Sequence, residues 1–78
     1  MKVTLESTEK IVELTLHGQT LPARVWEGET ANGIRCHAYI TRIAVDPALD
    51  ASEFERDLHE QHRPASAEIA AIPSRLVL

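Results

Sequence analysis

The dipeptide Asn32-Gly33 limits what this chain can fold into more than any other feature of it. Flanked by alternating apolar residues, Asn-Gly is the strongest short-range hairpin signal, because both residues accept the positive φ of a two-residue turn. With these two residues as the turn, Ala31 faces Ile34 and the ladder runs back through Glu29–Cys36, Glu27–Ala38 and Val25–Ile40. On the opposite side of the same ladder, Trp26 faces Tyr39, Gly28 faces His37 and Arg24 faces Thr41. The turn thus sorts the surrounding residues into two faces.

Alternation extends the pattern toward the N-terminus. Val3 and Leu5 alternate with polar residues and predict a first strand; "STEK" is polar and predicts a turn; Val12, Leu14 and Leu16 predict a second strand. "HGQT" then reverses the chain, and Leu21, Ala23 and Val25 form a third strand in which Pro22 must point its nitrogen away from a ladder or start the strand. A two- or four-residue reversal at "HGQT" sets Leu14 opposite Leu21 or Ala23. Either way Val12, Leu14, Leu16, Leu21, Ala23, Val25, Ala38 and Ile40 share one aliphatic face. Beyond Ile40 the apolar positions change phase, to Ile43 and Val45, which predicts a bulge or bend near Thr41-Arg42.

The segment "LDASEFERDLHEQHR" has helical periodicity. Asp50 with Glu53 suits a capping box, Leu49 with Phe54 a hydrophobic staple, and Pro64 ends the helix near His62. A helix over about 51–62 with Phe54 and Leu58 as its large apolar anchors is too short to hold alone. It needs the sheet, and the aliphatic face is the expected bed. In "PASAEIAAIP" either Ser66 caps one short turn with Ile69 and Ile72 facing inward, or the segment runs extended to Pro73. Leu76, Val77 and Leu78 close the chain as an expected strand, docked within the chain or across a dimer.

These elements predict a single α+β domain over 1–78. Its architecture is a twisted antiparallel four-stranded meander carrying one amphipathic helix and a C-terminal strand, with barrel-like closure as the alternative. A chain of this size buries only about 60% of its unfolded surface. Trp26, Tyr39 and Phe54 are its only aromatics, and the single cysteine, Cys36, excludes an internal disulfide. A thin core without a covalent or metallic staple calls for a partner, and a homodimer or other protein partner is expected.

Charge excludes some functions. Eight basic and twelve acidic residues give −4, and the segment 46–60 holds six of the acidic residues against Arg56 alone. A nucleic acid would meet repulsion there and no basic run elsewhere. No apolar stretch reaches the length of a signal peptide core or a membrane span, so a cytoplasmic protein with no membrane contact is expected.

Chemical motifs are few. His59 and His62 in "HEQH" are three apart, against four in a zinc helix, and would need Cys36, His37 or a carboxylate as a third ligand. Complementing the helix dipole is the simpler role, so no metal and no cofactor is expected. Cys36 and His37 are neighbours on a strand and point to opposite faces, which prevents them from pairing as thiol and base. Cys36 reads instead as a small hydrophobe on the aliphatic face. No glycine-rich phosphate loop or nucleophile elbow is present, and no catalytic residue is assigned. What stands out is the second face of the hairpin, where Trp26 and Tyr39 are flanked by Arg24, Arg35 and His37, the residue types that interfaces favour. The expected function is a non-enzymatic interaction or assembly module that self-associates. A regulator binding a small ligand or metal is the alternative.

At "ARVWEGETANGI…AYITRIAV", "EFERDL" and "AIPSRLVL" the chain resembles small uncharacterised proteins of bacterial genomes, often encoded among prophage genes. The resemblance implies a phage-related accessory or assembly role and carries no site residues with it.

Overall fold

The computed structural model describes residues 1–78 and is an α+β fold. Strands β1 (Val3–Leu16), β2 (Gln19–Thr30) and β3 (Arg35–Ile40) are followed by helices α1 (Ser52–Glu60) and α2 (Ala67–Ala70) and by strand β4 (Arg75–Val77). The sheet order is β3-β2-β1-β4. β1–β2 and β2–β3 are antiparallel, but β4 lies parallel to β1, so the sheet is mixed and the all-antiparallel meander is corrected. The sheet does not close into a barrel: β3 and β4 are its two edges.

The first two predicted strands are one. "STEK" makes no turn; between Ser7 and Ile11 the register shifts, so that Thr8, Glu9 and Lys10 stand against the single residue Val25. Such a bulge frees backbone groups that must find other partners. The wholly buried Thr8 supplies them: its hydroxyl donates to the Val25 carbonyl at 2.6 Å and accepts from the Lys10 amide at 3.2 Å. The Thr8 carbonyl in turn accepts from Arg24 Nη1 at 2.8 Å. Two extra residues preserve the inside–outside phase, so even-numbered residues face the core side both before and after the bulge, while Val3 and Leu5 lie on the Trp26 side.

His17 (φ 50°) and Gly18 (φ 77°) form a two-residue reversal with both φ values positive, closed by Leu16 and Gln19. The second reversal differs from expectation. Gly33 N–H donates to the Thr30 carbonyl and Thr30 N–H to the Ile34 carbonyl, each at 2.9 Å. Thr30 and Ile34 therefore close a three-residue loop in which only Gly33 (φ 83°) is left-handed, a turn followed by a one-residue bulge. Compared with the expected register, β3 has slipped by one residue: Val25 pairs with Tyr39, Trp26 with Ala38, Glu27 with His37 and Arg24 with Ile40.

A one-residue slip exchanges faces. Val12, Leu14, Leu21, Ala23 and Val25 do share a face, but Tyr39 joins them, while Ala38, Ile40 and Cys36 move to the Trp26 side. The core consists of Val12, Leu14, Ala23 and Val25 covered by Ile69 of α2, with Tyr39, Ala65, Ile72 and Leu76 packed around it. Ser66 caps α2, its hydroxyl accepting from Ile69 N–H at 3.3 Å, which selects the helical alternative for this segment.

The α1 helix lies on the other side of the sheet, where Leu58 and His59 border a cavity walled by Trp26, Ile11 and Ile40. No α1 residue is buried, and Leu49 is 64% exposed, so the expected staple stays open. The capping box also fails to form: Asp50 Oδ1 accepts from Ser52 N–H at 2.9 Å, and Ala51 occupies the cap position without a side-chain bond. β3 ends at Ile40 in a bend at Thr41, so of the bulge or bend expected there the bend is what forms. Its next hydrogen-bonded partner across the ladder would be Pro22, which has no N–H to give. No helix is long and apolar enough to cross a membrane.

Replacing Thr8 by Val keeps its shape but strips the bulge of its hydroxyl. Urea unfolding should show a loss of about 1–3 kcal/mol, the cost of orphaned buried backbone groups. A wild-type midpoint would remove Thr8 from this role.

Candidate functional site

The slip in β3 divides the predicted surface. Arg35, His37 and Tyr39 project from the core-side face, whereas Arg24 and Trp26 project from the opposite one. The five residues therefore do not form a single patch, which corrects the expected constellation; each group has its own surroundings.

On the core side, His37 Nε2 and Tyr39 Oη are 3.1 Å apart, with their rings edge to face at a centroid distance of 5.3 Å. Arg35 reaches Glu68 at the start of α2, 2.7 Å from Nη2 to Oε2. Both partners are largely exposed, so this pair is worth no more than about 1 kcal/mol. The stronger polar centre here is Glu27, buried on the face of the sheet that carries Val25. Its Oε2 accepts from Ser66 N–H at 2.9 Å, and Arg63 Nη2 stands 3.7 Å from Oε1. The Ser66 hydrogen bond, aided by Arg63 and Arg35, holds the Glu27 carboxyl below its ordinary value of 4.5 against the opposing effect of burial. Glu27 thereby moors the start of α2 over the core.

Arg63 also fastens the chain where it crosses the β1 edge. Its amide donates to the Ser7 carbonyl at 3.2 Å, its carbonyl accepts from Glu9 N–H at 2.9 Å, and its Nε lies 3.5 Å from Glu6 Oε2. Beside it, His62 Nδ1 is 2.9 Å from Ser7 Oγ. The contact has the spacing of a serine–histidine dyad, but the hydroxyl proton is already directed to the Gln61 carbonyl at 3.0 Å. His62 must then donate to Ser7, and a donor cannot take the serine proton as a general base would. The pair is a clasp.

On the opposite face, Arg24, Trp26, Arg42 and His59 border a cavity of about 330 Å³ whose apolar wall includes Ile11, Ile40 and Leu58. It is an open, mostly aliphatic recess lined also by the guanidinium groups of Arg24 and Arg42. Arg24 is held by the Thr8 carbonyl, which leaves Arg42 the freer of the two. His59 and His62 do not share a helical face, because α1 ends at Glu60. No three His, Cys, Asp or Glu side chains converge to hold a metal ion. Cys36 is half-buried opposite Gly28, on the Trp26 side and off the aliphatic face where it was expected. Gly28 is obligatory for packing, since a Cβ there would run into the Thr4 carbonyl.

Sequence reading found Ser66 as a cap but missed Glu27, its bond to the Ser66 amide, Arg63 and the Ser7–His62 clasp. For Glu27 a signal existed: it keeps the parity of Ala23 and Val25, and a carboxylate on a core face must have partners. The others are joined across more than thirty residues of sequence, which no local pattern reveals.

Glu27→Gln should lower stability at neutral pH by about 1.5–3 kcal/mol, the value of a hydrogen bond to a charged group. Because the folded carboxyl titrates below its unfolded counterpart, its contribution is whole above the ordinary value and fades as pH falls through the folded one. Thermal melts should therefore show the gap between variant and wild type narrowing below about pH 4.5; a gap independent of pH would mean that the Glu27 charge does not moor α2. Comparisons with protein-family models, curated proteins and solved structures find no match for this chain.

Proposed function

We propose that the chain is a non-enzymatic protein-interaction module that works as a self-associated unit. The supporting observation is its surface. A folded monomer of 8.7 kDa is expected to expose about 4,700 Å², whereas this chain exposes 5998 Å². The excess, about 1,300 Å² on one chain, is more than the ~800 Å² that each partner gives to a standard protein interface. Dimensions agree: the radius of gyration is 13.7 Å, against about 11.5 Å for a compact chain of this length. Only seven of 78 residues are buried, while Ile34, Leu49 and Val77 are each more than half exposed. Such a chain has the surface of half an assembly.

The resemblance to prophage-borne proteins suits an accessory or assembly role, and an unpaired thiol at Cys36 suits a reducing cytoplasm. A second reading rests on the recess at Trp26. Aliphatic walls with the Arg42 guanidinium beside them suit a small amphipathic anion, and binding there would change the fluorescence of the only tryptophan.

Light scattering coupled to gel filtration, across micromolar to millimolar concentration, decides the primary reading. A mass near twice 8.7 kDa at the upper end is expected; a monomer throughout would overturn it.

A further inference from the structure

The two edges of the sheet are treated differently. Along β1, the outward backbone groups of Ser7 and Glu9 are taken by Arg63, and those of Glu13 and Thr15 by Ser74 and Leu78. Along β3, nothing is taken. Since Thr30 and Ile34 form a hydrogen-bonded closing pair, alternation makes Gly28–Cys36, Trp26–Ala38 and Arg24–Ile40 the bonded pairs. Arg35, His37 and Tyr39 then direct every N–H and C=O of theirs out of the sheet. An exposed edge is normally blunted by Pro, Lys, a bulge or an inward-pointing charge. "RCHAYI" has no Pro, Lys or carboxylate, and its pairing with β2 is unbroken from Arg35 to Ile40.

Resting on the self-association argued above, we infer that the β3 edge is the interface and that its occupant is a second copy of β3. The pairing is antiparallel about a two-fold axis at His37, which joins two four-stranded sheets into one of eight. In that register His37 faces His37 of the second copy, and Arg35 faces Tyr39 of the second copy at both ends. These are the three residues whose backbone groups are free, so all three bond in each copy. Shifting the axis to Cys36 or Ala38 would leave some of them unpaired or recruit Thr41, which lies past the strand end. Side chains fit as well: the Arg35 guanidinium meets the Tyr39 ring as a cation–π pair, and no carboxylate faces another. With the axis normal to the sheet, both α2 helices cover one face and both α1 helices the other. A strand whose free backbone groups and side chains complement their own copy selects that copy as its occupant.

Amide hydrogen exchange read by NMR at several concentrations tests this without a variant. The amides of Arg35, His37 and Tyr39 should exchange freely when dilute and gain at least about tenfold protection as the dimer forms, whereas those of Cys36, Ala38 and Ile40 stay protected throughout. His37→Pro complements it, because the nitrogen it alters bonds to nothing within one copy. The variant should fold and weaken the dimer by about a hundredfold. A dimer in light scattering whose three edge amides remain unprotected would overturn the β3 interface and leave self-association standing. A monomer at all concentrations would remove both.

Discussion

The hydrogen bonds that join Thr30, Gly33 and Ile34 decide more of this molecule than any other contact. They make the loop three residues long, and loop length fixes register. Register decides which side chains of β3 meet the core. Tyr39 lies over Val25 because of that choice, Glu27 lies beside His37, and Trp26 is sent to the far side with Ala38 and Ile40. The same alternation leaves the backbone of Arg35, His37 and Tyr39 facing solvent. One closing pair thus fixes both the content of the core and the chemistry of the edge.

The C-terminal third of the chain depends on a second device, the bulge at Thr8. A regular ladder would let β1 end or turn at "STEK". The buried hydroxyl and the Arg24 guanidinium instead let a fourteen-residue strand continue with its phase intact. The bulged edge receives Arg63, and the segment that follows passes over the core face, where Ile69 seals Val12, Leu14, Ala23 and Val25. Glu27 holds the start of that seal. The final strand then returns to β1 in parallel at Glu13 to Thr15. No large apolar surface drives this wrapping. A few hydrogen bonds at the crossing steer it, which is why so little of the chain ends up buried.

Local pattern made much of the first half legible. Alternation placed Val12, Leu14, Leu21, Ala23 and Val25 on one face, and His17-Gly18 reversed the chain as "HGQT" predicted. It failed at Asn32-Gly33, where the same dipeptide serves either as the two central residues of a tight turn or as the last two of a longer loop. Only the bond from Thr30 to Ile34 distinguishes the two, and it separated Arg35, His37 and Tyr39 from Arg24 and Trp26. The α1 helix shows the opposite limit. Its periodicity was readable, but its bed was not, because Phe54 and Leu58 are too few to choose a face by burial alone, and neither is fully buried. Arg63, His62 and the bond from the Ser66 amide to Glu27 were beyond reach for a further reason: each depends on a partner far away in sequence.

The unguarded edge follows from one arrangement, in which β3 forms the last strand of a sheet and leaves its outer row of peptide groups unpaired. The register of β3 therefore decides both the core and the edge. In an antiparallel ladder the non-hydrogen-bonded pairs bring their Cα atoms to about 4.5 Å, and their Hα protons give the strongest cross-strand nuclear Overhauser effects. This register predicts strong Hα–Hα peaks for Val25–Tyr39, Glu27–His37 and Glu29–Arg35. Strong peaks for Trp26–Tyr39 and Gly28–His37 in their place would contradict it.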